Sequence, residues 1–213
     1  MVCAICQTRR PRRFCPGVRG DICAICCGTE REVSVSCPLD CEYLQEARKH
    51  EFEREAPVDP ESLPNRDVEI SREFLREHEA LFEYLGTHTA VAALENPGVV
   101  DSDVREALDA LIRTYRTMDS GLYYETRPQN PLAGGVFGAI QDGVESFRQT
   151  ERRELGMAKT RDSDVLRMLV FLRHVAEGRN NGRPRGRAFI DALRRMGGSA
   201  EGPEPAESPL ILP

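Results

Sequence analysis

Eight cysteines lie between Cys3 and Cys41, and the rest of the 213-residue chain contains none. Within this segment the tetrapeptide Cys-Ala-Ile-Cys occurs twice, at residues 3–6 and again at residues 23–26. Two cysteines separated by two residues can bring both sulfurs to one metal ion, and two such pairs at this spacing are typical of a four-cysteine structural zinc site. The first 55 residues therefore predict a module that is organised by metal.

The remaining four cysteines are sufficient for a second ion. Cys26 and Cys27 are adjacent, so their side chains point apart, and we expect them to serve different ions. This reasoning predicts two interleaved sites, although the spacing alone leaves open which cysteines share which zinc. The first predicted site consists of Cys3, Cys6, Cys23 and Cys26, and the second of Cys15, Cys27, Cys37 and Cys41.

Clustered cysteines can form disulfides, bind an iron–sulfur cluster, act as a redox sensor or bind zinc. The first residues lack the apolar stretch of a signal peptide, which favours a cytoplasmic setting where thiols stay reduced and a disulfide framework is disfavoured. An iron–sulfur cluster and a redox sensor at the vicinal Cys26–Cys27 pair remain alternatives. We expect two structural zinc ions, because four thiolates around each ion leave no position for an activated water.

The opening C-x2-C pair at Cys3 and the later C-x2-C and C-x3-C pairs resemble the pattern of cross-braced two-zinc fingers of the MYND, HIT and RING type. This resemblance covers residues 3–41. It implies two interleaved zinc sites in a small module.

Beyond the cysteines, the pattern changes to that of helices. Residues 56–66 combine prolines with acidic residues and predict a linker. Over residues 67–196 apolar positions recur at helical spacing without a competing strand pattern, which predicts an all-α bundle of about five helices. Residues 197–213 are rich in Gly, Pro, Glu and Ser and predict a disordered tail. The predicted fold class is mainly α: a zinc-organised N-terminal module in residues 1–55, a helical bundle and a disordered C-terminal tail.

Three local expectations can be checked in the bundle. Apolar residues between Ile70 and Leu85 predict one amphipathic helix, with His78 as a hydrogen-bonded core residue. Asp101-Ser102-Asp103 and Asp162-Ser163-Asp164 predict the N-caps of two further helices. The glycine-rich residues 134–138 predict a loop or cap, and the loop 121–128, with Tyr123 and Tyr124, is expected to pack on the bundle.

Arginine clusters give a second interpretation of the chain. The net charge of −6 argues against a general polyanion binder, but basic residues beside a zinc finger are typical of nucleic-acid binding. The segment 182–187 also has a Gly-Arg-Pro core similar to that of minor-groove binders. The candidate nucleic-acid-binding residues are Arg9, Arg10, Arg12, Arg13, Arg183, Arg185 and Arg187.

Motifs for catalysis are missing from the sequence. It contains no H-E-x-x-H, no G-x-x-x-x-G-K-[ST] and no G-x-S-x-G. We therefore expect a zinc-binding, non-catalytic interaction or adaptor protein with a protein partner and no membrane-spanning segment. A nucleic-acid-binding or regulatory role is the alternative, and an enzyme with its site inside the bundle is a third interpretation.

Overall fold

The computed structural model describes residues 2–54 and 59–197. The N-terminal part is a short antiparallel hairpin followed by two helices. Its elements are β1 (Arg13–Cys15), β2 (Gly20–Ile22), α1 (Ala24–Glu30) and α2 (Glu42–Arg54).

The hairpin and α1 share a small core that is built largely from cysteine. Ile22 is 1% exposed and packs with the buried side chains of Cys3, Cys23 and Cys26. A core of this size buries too little apolar surface to stabilise a fold by itself, and small domains of this kind usually depend on a metal or disulfides. The fold of this part therefore depends on what the sulfurs bind.

The rest of the described chain is helical. After a short 3-10 turn at Pro60–Ser62, six helices follow within residues 59–197. They are α3 (Arg72–Glu77), α4 (Glu79–Glu95), α5 (Asp101–Asp119), α6 (Pro131–Leu155), α7 (Asp162–Gly178) and α8 (Ala188–Gly197).

Helix α5 lies at the centre of the bundle and packs against α6 and α7, while α4 packs against α6 and α8. The apolar residues that recur at helical spacing in this helix face inward, and Val104, Leu108 and Leu111 are fully buried. At about 25 cal/mol per Å² of apolar surface removed from water, such side chains are the main source of the bundle's stability. The cysteine-rich part is positioned against this core.

The helix predicted between Ile70 and Leu85 is interrupted. His78 has φ −113° and ψ 25° and separates α3 from α4. Its backbone N–H donates to the Phe74 carbonyl, and its ring Nδ1 lies 3.0 Å from the same oxygen. The ring also stacks on Phe74 with centroids 4.3 Å apart. The hydrogen bond predicted for His78 is therefore observed, but its side chain is 23% exposed and lies outside the core, and the helix is interrupted.

Two helix starts also differ from expectation. The Asp101-Ser102-Asp103 run lies inside the first turn of α5, where the Asp103 carboxylate accepts from the backbone N–H of Val100. Helix α6 begins at Pro131, capped by the Asn130 side chain, so the glycine-rich residues 134–138 are helical and form neither a loop nor a cap. Proline at the first helical position explains the earlier start, because its missing N–H is not needed there.

The mainly α fold class with a cysteine-organised N-terminal part is confirmed. None of the helices in the described part of the chain is both long and apolar enough to cross a membrane. The tail predicted from residue 197 onward falls outside the described residues except for Gly197, and so do residues 55–58 of the predicted linker.

Candidate metal centre and its junction with the helices

The two Cys-Ala-Ile-Cys repeats converge on one point. The sulfurs of Cys3, Cys6, Cys23 and Cys26 all lie within 4.8 Å of one another. In a tetrahedral site with Zn–S bonds of ~2.3 Å, neighbouring sulfurs are ~3.8 Å apart, so small movements would bring these four to one ion. Cys3, Cys23 and Cys26 are buried, and Cys6 is half-buried. The arrangement can hold a metal ion and leaves it little contact with solvent.

Local hydrogen bonds explain why the repeats form knuckles. In the first knuckle, Gln7 donates from its backbone to the Cys3 carbonyl and adopts a left-handed φ of 53°. In the second, Cys23 caps α1, and its sulfur accepts from the backbone N–H of Cys26 at 3.4 Å. The Cys23 N–H in turn donates to the Cys3 sulfur at 3.2 Å. Such N–H···S contacts stabilise thiolates, the form that binds metal.

The four thiols cannot all ionise easily without a cation. Burial raises the pKa of Cys3, but backbone N–H groups, first among them that of Cys23, outweigh it and lower the pKa to about 6. Burial raises the pKa of Cys26 to about 12, and the neighbouring sulfurs of Cys23, Cys6 and Cys3 add to the rise. Four negative charges this close repel one another, so all four sulfurs would be thiolates together only with a cation among them.

The other four cysteines surround a separate small space. Cys15, Cys27, Cys37 and Cys41 all line one cavity of about 20 Å³. A single water-sized sphere occupies roughly 10–15 Å³, so the cavity has room for one ion and little more. Among the described residues, however, only the first tetrad has all its ligand atoms within 4.8 Å of one another. The second set is therefore gathered around one cavity but is more open than the first.

The adjacent Cys26 and Cys27 point to different places, as the sequence predicts. Cys26 belongs to the first tetrad, whereas Cys27 lines the cavity of the second set. The helical backbone of α1 causes this, because successive side chains on a helix point about 100° apart. This pair therefore links the two sets of cysteines through one helix.

Arginines lie beside the sulfurs. Nη1 of Arg13 is 3.8 Å and Nη2 of Arg31 is 3.9 Å from the Cys27 sulfur. The Arg13 guanidinium also stacks over the Tyr43 ring of α2, 3.8 Å from its centroid. The pKa of Arg9 is raised chiefly by its hydrogen bond to Cys23. These three guanidinium groups offset negative charge on thiolates.

A buried ion-pair network joins the cysteine-rich part to the bundle. Arg48 of α2 donates from Nη2 to Glu32 and from Nη1 to Asp191 of α8, both at 2.6 Å. The Arg48 side chain is 9% exposed, and the two carboxylates are each 1% exposed. We call Glu32, Arg48 and Asp191 the buried triad. The triad is not predicted by any pattern in the sequence, although Arg48 follows the buried Leu44 by four residues and so occupies a core-facing position of α2.

Glu32 connects three parts of the chain. It has a left-handed φ of 53°, a conformation that costs a non-glycine residue roughly 1 kcal/mol or more. Its carboxylate accepts from Arg48, from the Asn181 side chain at 2.8 Å and from the Arg187 backbone N–H at 3.0 Å. Its own carbonyl accepts from the Arg185 N–H at 2.8 Å. These contacts offset the backbone strain.

The start of α8 is capped by acids from elsewhere in the chain. Asp101 of α5 accepts from the backbone N–H groups of Phe189 and Ile190 at 3.0 and 3.1 Å. Glu32 accepts from the preceding Arg187. Negative charge at a helix N-terminus is favourable because the exposed N–H groups carry partial positive charge. The cysteine-rich part therefore helps to set where α8 begins.

The arginines of the 183–187 loop take part in this junction. Arg183 donates to the Arg31 carbonyl at 2.7 Å and to Glu51 at 3.0 Å. Arg185 donates to the Ser36 hydroxyl at 2.7 Å. Arg187 donates to the Ala93 carbonyl of α4 at 3.0 Å. Of the other candidate nucleic-acid-binding residues, Arg13 is held at Cys27, while three are exposed: Arg9, Arg10 and Arg12.

The tyrosine-containing loop packs on the bundle through its backbone and not through its tyrosines. Its backbone is held on α5, where the Thr126 N–H donates to the Thr114 hydroxyl at 2.9 Å and the Thr117 hydroxyl donates to the Tyr124 carbonyl at 3.0 Å. The side chains of Tyr123 and Tyr124 are 73% and 69% exposed. Tyr123 donates its hydroxyl to Glu125 at 3.0 Å, so its polar group is satisfied within the loop itself.

Comparisons with protein-family models, with curated proteins and with solved structures find no match to this chain.

Proposed function

We propose that this chain is a zinc-binding, non-catalytic interaction protein in which two structural zinc ions hold a small module against a helical bundle. The observation that carries the proposal is the closed cysteine tetrad at residues 3, 6, 23 and 26, with three of its four side chains buried. Four thiolates complete a tetrahedral coordination shell and leave no position for water or substrate. A metal held in this way stabilises the fold and performs no reaction.

Zinc is the ion that best fits these ligands. Thiolate-only tetrahedral sites are typical of zinc and of iron–sulfur clusters, and the doubled C-x2-C knuckles favour zinc. Its binding energy can replace the apolar core that the module lacks, as in other small zinc domains that fold only with their metal. The nearly all-sulfur core around Ile22 supports this dependence.

A second zinc is proposed at Cys15, Cys27, Cys37 and Cys41. Their common cavity supports it. Arg13 and Arg31 beside Cys27 would offset the charge of four thiolates. A zinc ion here would tighten the loop that ends at Cys37 and thereby fix Glu32.

Protein recognition is proposed from the outer surface of the module. Phe14 and Ile25 are 61% and 54% exposed, and Val2 and Val33 are also exposed. Exposed apolar side chains that adjoin one another are typical of protein interaction sites. Nucleic-acid binding has less support, because most of its candidate arginines make contacts within the chain.

The metal part of the proposal is tested with cobalt. Co²⁺ bound by four thiolates absorbs in the visible range, so titrating metal-free chain should give a signal that saturates at two equivalents. Cys6→Ser and Cys41→Ser should each remove one equivalent, and Thr29→Ser, a conservative change outside both sets, should remove none. A signal that saturates at one equivalent, is abolished by Cys6→Ser and is unchanged by Cys41→Ser would limit the chain to one site.

The recognition part is tested by capture of a defined partner. Once a binding protein has been identified by cross-linking to the purified chain, Phe14→Ser combined with Ile25→Ser should abolish its binding without changing the zinc content. Val91→Ser is the matched control, since Val91 is an apolar residue of α4 that is 47% exposed. Equal binding by both variants would rule out the module surface as the interface.

A further inference from the structure

A cleft of about 390 Å³ lies beside the buried triad, between α2, α7 and α8. Its size falls within the range of ligand pockets, which are roughly 300–1,000 Å³ and often lie between domains. Part of its wall is apolar, formed by Val175, Ala188, Ala192 and Met196. The function proposed above does not use this cleft.

The cleft is positively charged although the chain carries a net charge of −6. Its lining contains four basic residues and two acidic ones. Glu51 pairs with Arg183, and Asp191 pairs with Arg48 and Arg195 of the lining and with Arg194 outside it. The lining therefore keeps a formal excess of two positive charges. Lys49 of the same lining is highly exposed, and its Nζ lies 3.6 Å from the Glu46 carboxylate. Such a cleft attracts an acidic occupant.

Arg48 forms the polar floor of the cleft. It lines the cleft, more than nine-tenths of its side chain is buried, and it pairs with Glu32 and Asp191. Its Nε is itself buried without an acceptor among the described residues, as are the Nε atoms of Arg148 and Arg187, so an occupant of the cleft would contact the exposed Lys49 and not this atom.

Residues 198–213 of the same chain have the matching composition. They contain three glutamates and no lysine, arginine or aspartate, and they include the aliphatic run Leu210-Ile211-Leu212. They follow Gly197 directly, and Met196 lines the cleft. Extended at roughly 3.1 Å per residue, this segment is long enough to fold back over the cleft from its point of attachment.

We propose that the cleft between α2, α7 and α8 binds the acidic, aliphatic segment 198–213 of its own chain. The glutamates lie against the basic rim, and the aliphatic residues lie against the apolar wall. Because the segment is tethered at the edge of the cleft, its effective concentration there is on the order of millimolar, so even a weak intrinsic affinity gives substantial occupancy. An acidic peptide from another protein would have to displace it.

The test uses the full chain with one reporter. The sequence contains no tryptophan, so Leu212→Trp introduces a single fluorophore into the segment. The proposal predicts a blue-shifted emission and reduced quenching by iodide and acrylamide, compared with the free peptide 198–213 carrying the same substitution. Excess unlabelled peptide 198–213 should restore quenching. Emission and quenching equal to those of the free peptide would overturn the proposal.

Charge variants locate the docking site. Lys49→Glu and, separately, Ala192→Glu should reduce the docking equilibrium about two- to fivefold, as expected for reversing or adding one charge near exposed carboxylates. Arg113→Glu is the control, because Arg113 is an exposed arginine of α5 that lines no cavity described here. Equal protection in all three variants would place the segment elsewhere and overturn the proposal. So would protection that rises with protein concentration, which indicates binding to a second copy.

A measurement without the tryptophan completes the test. Hydrogen exchange at the backbone amides of α8 should be faster when Glu201, Glu204 and Glu207 are all changed to glutamine. Unchanged exchange would also contradict docking through these carboxylates. Neither readout depends on the number of bound zinc ions, so failure here leaves the proposed function standing.

Discussion

Replacing Arg48 by methionine should destabilise the folded chain by removing the ion pairs that join the cysteine-rich module to the bundle. Arg48 holds two buried carboxylates, Glu32 and Asp191, each at 2.6 Å. Methionine keeps an apolar stem of similar length but removes the positive charge. Glu32 then keeps only uncharged donors, Asn181 and the Arg187 N–H, while Asp191 keeps the more exposed Arg194 and Arg195.

The expected loss of stability follows from the buried carboxylates that lose their positively charged partner. Removing one partner of a buried ion pair costs about 3–5 kcal/mol, because the remaining charge stays desolvated without compensation. For a chain of 150–250 residues each kcal/mol lowers the melting temperature by about 2–4 °C. Arg48→Met should therefore lower the melting temperature by at least about 6 °C.

The neighbouring residue provides the control. Lys49 lies next to Arg48 on α2, but its side chain is 70% exposed and its ion pair with Glu46 spans 3.6 Å. Lys49→Met should change stability by less than about 0.5 kcal/mol. Both variants are measured by urea denaturation followed by far-ultraviolet circular dichroism, together with thermal melts at neutral pH.

A difference between the two variants smaller than about 1 kcal/mol would refute the reasoning. It would mean that the buried triad contributes no more than a surface ion pair. If Arg48→Met instead lost only the helicity of α1 and α2 while the bundle unfolded as before, the junction would be dispensable for the bundle.

Three further predictions follow from individual residues. Burial raises the pKa of Asp101 to about 6, so between about pH 4 and pH 6 the folded state holds a proton that the unfolded state has lost. The free energy of unfolding, measured relative to that of Asp101→Asn, should therefore fall as the pH rises through this range and stay constant above pH 7. A Cβ at Gly17 would lie 2.7 Å from the Ser36 carbonyl oxygen, next to the second cysteine set, so Gly17→Ala should weaken cobalt binding at one site, whereas Gly28→Ala, with open space around it, should not. Arg183→Ala should lower the melting temperature and leave retention on heparin unchanged, because this arginine is held by Arg31 and Glu51.

The parts of the structure that could be predicted are those encoded by local spacing. Each C-x2-C repeat is a turn of four residues, so it places Cys3 beside Cys6 and Cys23 beside Cys26, and the repetition of the motif predicted that both turns serve one ion. The stripe of α5 was recognisable since its apolar residues recur at helical spacing over several turns. The prediction that the Cys26 and Cys27 side chains point to different sites needed only their adjacency in the sequence.

The junction could not be predicted in the same way. Its members, such as Glu32 and Asp191, are far apart in the sequence, and an isolated acidic residue has no pattern that distinguishes a buried partner from a solvated one. The arginines at 183–187 have the composition of a nucleic-acid-binding loop, and only their positions show that they contact other parts of the chain. The break at His78 depends on backbone angles that an apolar stripe does not report.

The measurement that tests the central claim most directly is elemental analysis of the chain after anaerobic purification, reporting zinc and iron per molecule. The proposed structure, with one closed cysteine tetrad and a second set around its own cavity, predicts two zinc ions and no iron. One zinc would leave Cys15, Cys27, Cys37 and Cys41 without a metal. Iron in place of zinc, or no metal at all, would contradict a module held together by structural zinc.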